Sequence, residues 1–295
     1  MKPLGKRIAM AVLCAATLTS PLLLSGCSMS ELWQGTEQSR KEIAQRSEQD
    51  QVQLFNQYVK AISRFNRMAV MFDYANKLKA GQNLTVFNAP NFKQLQKELE
   101  EAKQAGVPYD EMKEPLDKLL SKLNEITPVA EELDAYYKSK GYTTDNYAKE
   151  QQLGPKYVQL YEQFIPIYAD FDNLMHKINT DRLQQRLQQL RDAGKKNAAA
   201  AQEVSLRLTA VLEKLDSEKQ PDVNAINQEL QAIGDLANSI SSPKYDSVKT
   251  SVNSTIGAIR TYMGSKQDND YKHMVEAYNR YISNMNTTNM NELDQ

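Results

Sequence analysis

Between residues 109 and 137 the apolar side chains fall at Tyr109, Met112, Leu116, Leu119, Leu123, Ile126, Ala130, Leu133 and Tyr137, in steps of three and four without a break. That spacing lines all of them along one stripe of a helix, and a chain that sustains it must bury the stripe against other helices. The pattern recurs over Val52, Phe55, Val59, Ile62, Phe65, Met68 and Phe72. It recurs again over Leu160, Phe164, Ile167, Phe171, Leu174 and Ile178, and over Val223, Ile226, Leu230, Ile233, Ala237 and Ile240. No segment sustains the period of two that a half-buried strand needs. The expected fold is all-α, an elongated antiparallel bundle of about eight helices, single or built from two packed sub-bundles.

The breaks between helices are carried by glycine and proline. Residues 81–90 read as a loop, with Pro90 opening the next helix as its first residue. Gly106 and Pro108 turn the chain into a third helix, and Pro128 falls mid-pattern, where it should kink or split that helix. Gly141 and Gly154-Pro155 bracket a short element, and Gly194-Lys195-Lys196 ends a long one beside its negative dipole end. Gln220-Pro221, Ser242-Pro243 and the run Ser265–Asp270 separate the last helices, with Ser242 as a cap. The helical domain is expected over 50–288, with a subdivision near Gly194 as the alternative to one bundle, and 289–295 as a disordered tail.

The amino terminus has a different character. Lys2, Lys6 and Arg7 precede an uncharged apolar stretch from Ile8 to Leu24, and small residues follow, the layout of a secretory signal peptide over 1–26. At 17 residues the apolar stretch sits at the short edge of a membrane-spanning helix. Leu24-Ser25-Gly26-Cys27 resembles the bacterial lipobox at all four positions. The resemblance implies that Leu24, Ser25 and Gly26 are read by the lipoprotein signal peptidase. It implies cleavage before Cys27, with a diacylglyceryl thioether on its sulfur and an acyl chain on its amine. More than one chain makes such an anchor permanent, at ~0.8 kcal/mol per buried CH₂. Residues 27–49 are then the lipidated cysteine and a polar tether, for which coil statistics give a root-mean-square reach of ~25 Å. Trp33, the sole tryptophan, lies close to the anchor, where an aromatic suits the headgroup layer; a lone exposed or docked aromatic is the alternative.

Cleavage would discard Cys14 and leave Cys27 as the single cysteine, so no disulfide within the chain can form and packing must hold the body together. It would also remove three basic and no acidic residues, leaving 33 against 37, a net charge of −4. An evenly mixed, mildly acidic chain has no concentrated basic face, so nucleic acid is not an expected partner.

Catalytic chemistry finds little to use. His273 and Glu276 stand one helical turn apart, a spacing that can share a metal, in the style of the Gly-x-His-x-x-Glu motif of imelysin-like periplasmic proteins. Here Tyr271 occupies the glycine position. His176 has Asp172 four residues before it, compatible with a surface ion pair. No Gly-x-Ser-x-Gly elbow and no glycine-rich phosphate loop occurs, and the acidic run Asp268-Asn269-Asp270 lacks the Gly and Glu of a calcium loop. Glu98/Glu101 and Glu131/Glu132 fit solvated helix faces. No catalytic residue and no cofactor beyond the covalent lipid on Cys27 is expected. Tyr58 is followed by Phe65-Asn66-Arg67 as Tyr271 is followed by Tyr278-Asn279-Arg280, and two core helices in one register explain the echo without a duplicated site.

Taken together, the lipobox, the helical body and the two aromatic-Asn-Arg helices resemble the YiiG-like enterobacterial lipoproteins, a helical group of unknown function. The resemblance implies a Gram-negative envelope. There Ser28, following the lipidated cysteine, implies sorting to the periplasmic face of the outer membrane. The expected function is a lipid-anchored, non-enzymatic binding or scaffolding module with an envelope protein or surface polymer as partner. The alternative is a periplasmic metal- or small-ligand-binding protein using His273 and Glu276.

Overall fold

A computed structural model describes residues 37–69, 74–217 and 220–295. Among these residues there are ten α-helices and no strand. They are α1 (Glu37–Ala69), α2 (Tyr74–Lys79), α3 (Phe92–Ala105), α4 (Lys113–Lys138) and α5 (Tyr142–Asp145). Then come α6 (Ala148–Asp192), α7 (Lys196–Ser217), α8 (Val223–Ser239), α9 (Asp246–Ser265) and α10 (Asp268–Thr287). The all-α expectation holds. No described helix is long and apolar enough to cross a membrane.

The first half folds as an antiparallel four-helix arrangement of α1, α3, α4 and the first part of α6. Tyr58 on α1 donates to the Gly106 carbonyl at 2.9 Å while Phe65 packs on Phe92, so α1 and α3 run opposite ways. Gly106 ends α3 at φ +142°, a conformation glycine adopts without penalty, and a Cβ there would stand 3.3 Å from Leu54. Lys103–Asp117 at 2.6 Å and Lys93–Glu131 at 2.7 Å set α4 antiparallel to α3. Lys122–Gln163 and Lys149–Glu132 do the same for α4 and α6.

The second half stacks the end of α6 with α7, α8, α9 and α10 in sequence. Arg207 grips Glu229 with two donors, at 2.7 and 3.0 Å, to tie α7 to α8. Ser205–Tyr281 and Thr209–Tyr278 join α7 to α10 and close the circuit. Two separate hydrophobic cores result, one ending at Ile178 and the other beginning at Leu183. The seam lies inside α6, where the Arg182 guanidinium sits 5.2 Å over the Phe55 ring, and Gly194 lies beyond it at the α6–α7 turn.

Several expectations need correction. The tail 289–295 is packed, not disordered: Leu293 is 1% exposed, Met290 is buried, and Met290–Glu292 forms a 3₁₀ turn. Asp294 accepts from the Asn197 and Ala198 amides at 2.7 and 3.0 Å, satisfying first-turn donors of α7 that have no partner in their own helix. Residues 37–49, expected as tether, lie within α1. Pro128 does not split α4, and Gly154 and Pro155 fall inside α6, because side chains on both flanks of each proline stay buried against neighbouring helices. α3 is capped by the Asn91 side chain, which accepts from the Gln94 amide at 3.0 Å, so Pro90 lies outside it.

Candidate functional site

Where α1 and α6 face each other, a polar file crosses the aromatic core. Tyr168 donates to the Asn66 side-chain oxygen, and the Asn66 amide reaches Asp172 Oδ1 at 3.4 Å. Asp172 Oδ2 lies 3.8 Å from His176 Nε2. Asn66 and Asp172 are buried, and Tyr168 is fully so. Burial pushes the Asp172 carboxyl above the ordinary aspartate range, while the nearby His176 and the Asn66 hydrogen bond pull it back. Burial likewise raises the Tyr168 hydroxyl. The His176–Asp172 pair is therefore not a surface feature: Asp172 stands on the inward stripe of α6, one turn after Tyr168.

A second polar group closes the end of the first half. Buried Glu150, in the first turn of α6, accepts from the Tyr137 hydroxyl and from the Leu84 amide at 3.2 Å, pinning the loop before α3 to α6. The neighbouring Tyr136 donates to Asp145 at 2.7 Å, and Asp145 accepts from the Lys149 amide at 3.1 Å. The Tyr136 and Tyr137 hydroxyls are raised, first by burial and then by these carboxylates. Asp145, the partner of Tyr136, is lowered by that hydrogen bond. Periodicity marks Tyr137 as a core residue but cannot show that Glu150, in a polar stretch, is its partner.

The residues singled out in the sequence are scattered. Cys27, with Leu24, Ser25, Gly26 and Ser28, lies outside the described residues, as does Trp33. His273 and Glu276 are exposed on α10. Among the described residues no three His, Cys, Asp or Glu side chains gather closely enough to hold a metal ion. The two aromatic-Asn-Arg helices diverge: Asn66 is buried on Tyr168 and Asp172, whereas Asn279 is half-buried and Tyr271 packs edge-on against Tyr262. Glu98 is not a solvated carboxylate but pairs with Arg64 across α1 and α3, while Glu101, Glu131 and Glu132 pair at the surface.

No curated protein and no solved structure matches the chain. A family described as "Protein of unknown function (DUF3829)" matches residues 49–292, from within α1 to the packed tail. That span takes in both hydrophobic cores but for Leu293, and every described helix from α2 onward, and the chain belongs to this family.

Proposed function

We propose that this chain is a lipid-anchored envelope lipoprotein of the YiiG-like kind, whose helical body works as a non-enzymatic binding or scaffolding module at the periplasmic face of the outer membrane. The observation that carries the reading is Leu24-Ser25-Gly26-Cys27 directly after an uncharged apolar stretch behind a basic start.

Support for binding over chemistry comes from the buried carboxylates. Glu150 and Asp172 are each engaged by tyrosine, amide or backbone donors of the chain itself, in positions where they join one element to another. The test is fractionation of cells producing the full chain or its Cys27→Ala variant, with a labelled fatty acid supplied during growth. The intact chain should take up label and pellet with the outer membrane, and the variant should do neither. An unlabelled wild-type chain, or a variant that pellets equally well with outer membranes, would overturn the anchor.

A further inference from the structure

Phe87, Tyr137, Tyr142 and Tyr147 form a continuous file of rings running from the first core to the surface. Phe87 and Tyr137 stack at 5.6 Å and 21°, Tyr137 and Tyr142 follow at 6.1 Å and 39°, and Tyr142 and Tyr147 stack at 5.4 Å and 17°. Phe87 is buried, whereas Tyr142 and Tyr147 are partly exposed. Tyr147 ends the file: one face lies on Tyr142, and among the described residues no second ring packs on it.

The backbone under Tyr147 does not ask for a tyrosine. Its φ of +65° and ψ of 17° are left-handed, directly after Asn146 at φ +52°. Asparagine tolerates that region, but a bulky aromatic residue there costs about 1–2 kcal/mol. Tyr147 also occupies the N-cap position of α6, where Ser, Thr, Asp or Asn is favoured, and its side chain makes no capping hydrogen bond. Asp145 caps the helix in its place, through the Lys149 amide. The close turn beneath depends on Gly141, where a Cβ would meet the Tyr136 ring at 2.6 Å. Glycine or asparagine at position 147 would keep the chain path at lower cost, so what tyrosine adds there is the ring.

The surroundings decide what that ring suits. Lys138 pairs with Asp134 at 2.6 Å and Lys149 with Glu132 at 2.8 Å, and the segment between them adds one lysine, Lys140, and one aspartate, Asp145, so the charges balance. A polyanion or polycation has no field to follow here. Thr143, Thr144 and Asn146 are exposed on the same segment; the threonine hydroxyls donate to the Lys140 and Gly141 carbonyls and keep lone pairs to accept with, and Asn146 supplies an amide. A flat apolar face rimmed by neutral hydrogen-bonding groups matches a pyranose, whose C–H face is apolar and whose edge carries hydroxyls.

We propose that the Tyr142–Tyr147 stack is a docking platform for a neutral pyranose polysaccharide, the sugar ring lying on the outer face of Tyr147 with its hydroxyls met by Asn146, Thr143 and Thr144. This rests on the binding-module part of the reading above and not on the anchor. The test is co-sedimentation of the full-length protein in detergent with insoluble cellulose and chitin. The wild-type protein should sediment with at least one of the two. Tyr147→Asn, which keeps the left-handed turn, should weaken that binding about tenfold, the order one aromatic contact supplies, with no loss of thermal stability. Tyr147→Phe, which keeps the face, should bind as wild type. No sedimentation with either polymer, undiminished binding by Tyr147→Asn, or loss of binding in Tyr147→Phe would each overturn the platform. A protein that pellets with outer membranes yet sediments with no polymer overturns this inference alone and leaves the anchor standing.

Discussion

The two cores threaded on α6 are built from different materials. Among the described buried residues, the first core holds twelve Phe or Tyr side chains and the second holds three, all tyrosine. In the first, Phe65, Phe92, Phe164 and Tyr168 meet ring to ring at 5.1–5.9 Å. The second packs Leu, Ile, Val and Ala, with Ala198, Ala199 and Ala201 on α7 among its buried side chains. Rings fill wide gaps but constrain angle, since edge-to-face and offset contacts are preferred. Aliphatic and small side chains allow closer helices and more tolerance of exchange. The polar groups follow suit. The first core buries carboxylates, Glu150 and Asp172, while the second buries hydroxyls such as Ser205 and Thr255.

The sharpest break of this comparison is Phe164→Ala, which removes a fully buried ring touching Phe65, Phe92, Tyr161 and Tyr168. It should cost ~3–5 kcal/mol and fall on the first core alone. Thermal unfolding followed by near-ultraviolet tyrosine signal should then precede the loss of far-ultraviolet helicity. One coincident transition in both probes would show that the two cores melt as a unit.

A smaller effect separates the halves from the other side. Asp294→Ala deprives the Asn197 and Ala198 amides of their acceptor, and the loss of such a cap costs about 1 kcal/mol. The later transition should shift down while the aromatic one stays put. Equal shifts in both would mean that the tail stabilises more than the core it touches.

The smallest expected change is one of slope. Asp172 binds a proton more tightly in the folded chain than in the unfolded one, because burial disfavours its charge. Its contribution to stability is therefore fullest below the ordinary aspartate pKa and declines as pH rises through that range toward the raised value. Asp172→Asn should flatten this decline, gaining on wild type as pH rises above the ordinary aspartate range. Melting temperatures of both proteins across that rise measure it, and parallel curves would refute the assignment.

Much of the helical framework can be read from periodicity alone. The stripe from Leu116 to Tyr137 is buried along α4 as its spacing predicts. Where the reading failed, the missing information was tertiary. Asn289–Gln295 looks like a polar tail because only Met290 and Leu293 are strongly apolar, and the helix end that Asp294 caps lies ninety-odd residues away. His176 and Asp172 share a helix face in the sequence, but that the face points inward depends on Asn66, 106 residues before Asp172 in the chain. Glu150 gave no signal because its partners, Tyr137 and the Leu84 amide, sit on other elements. Nor can spacing reveal that Tyr147 is left-handed, since nothing about a tyrosine announces that backbone.

The single helix α6 has a consequence for how the chain comes into being. Its 45 residues extend for about 68 Å, the stretch through Ile178 belonging to the first core and the last turns from Leu183 to the second. A chain emerging from its amino end cannot complete the first core until Ile178 is free, so α1 to α4 must wait with their rings exposed. Once α6 docks, its remaining turns project as a ready-made surface bearing Leu183, Leu187 and Leu190. The second half then has a template to assemble on, and order of synthesis becomes order of folding.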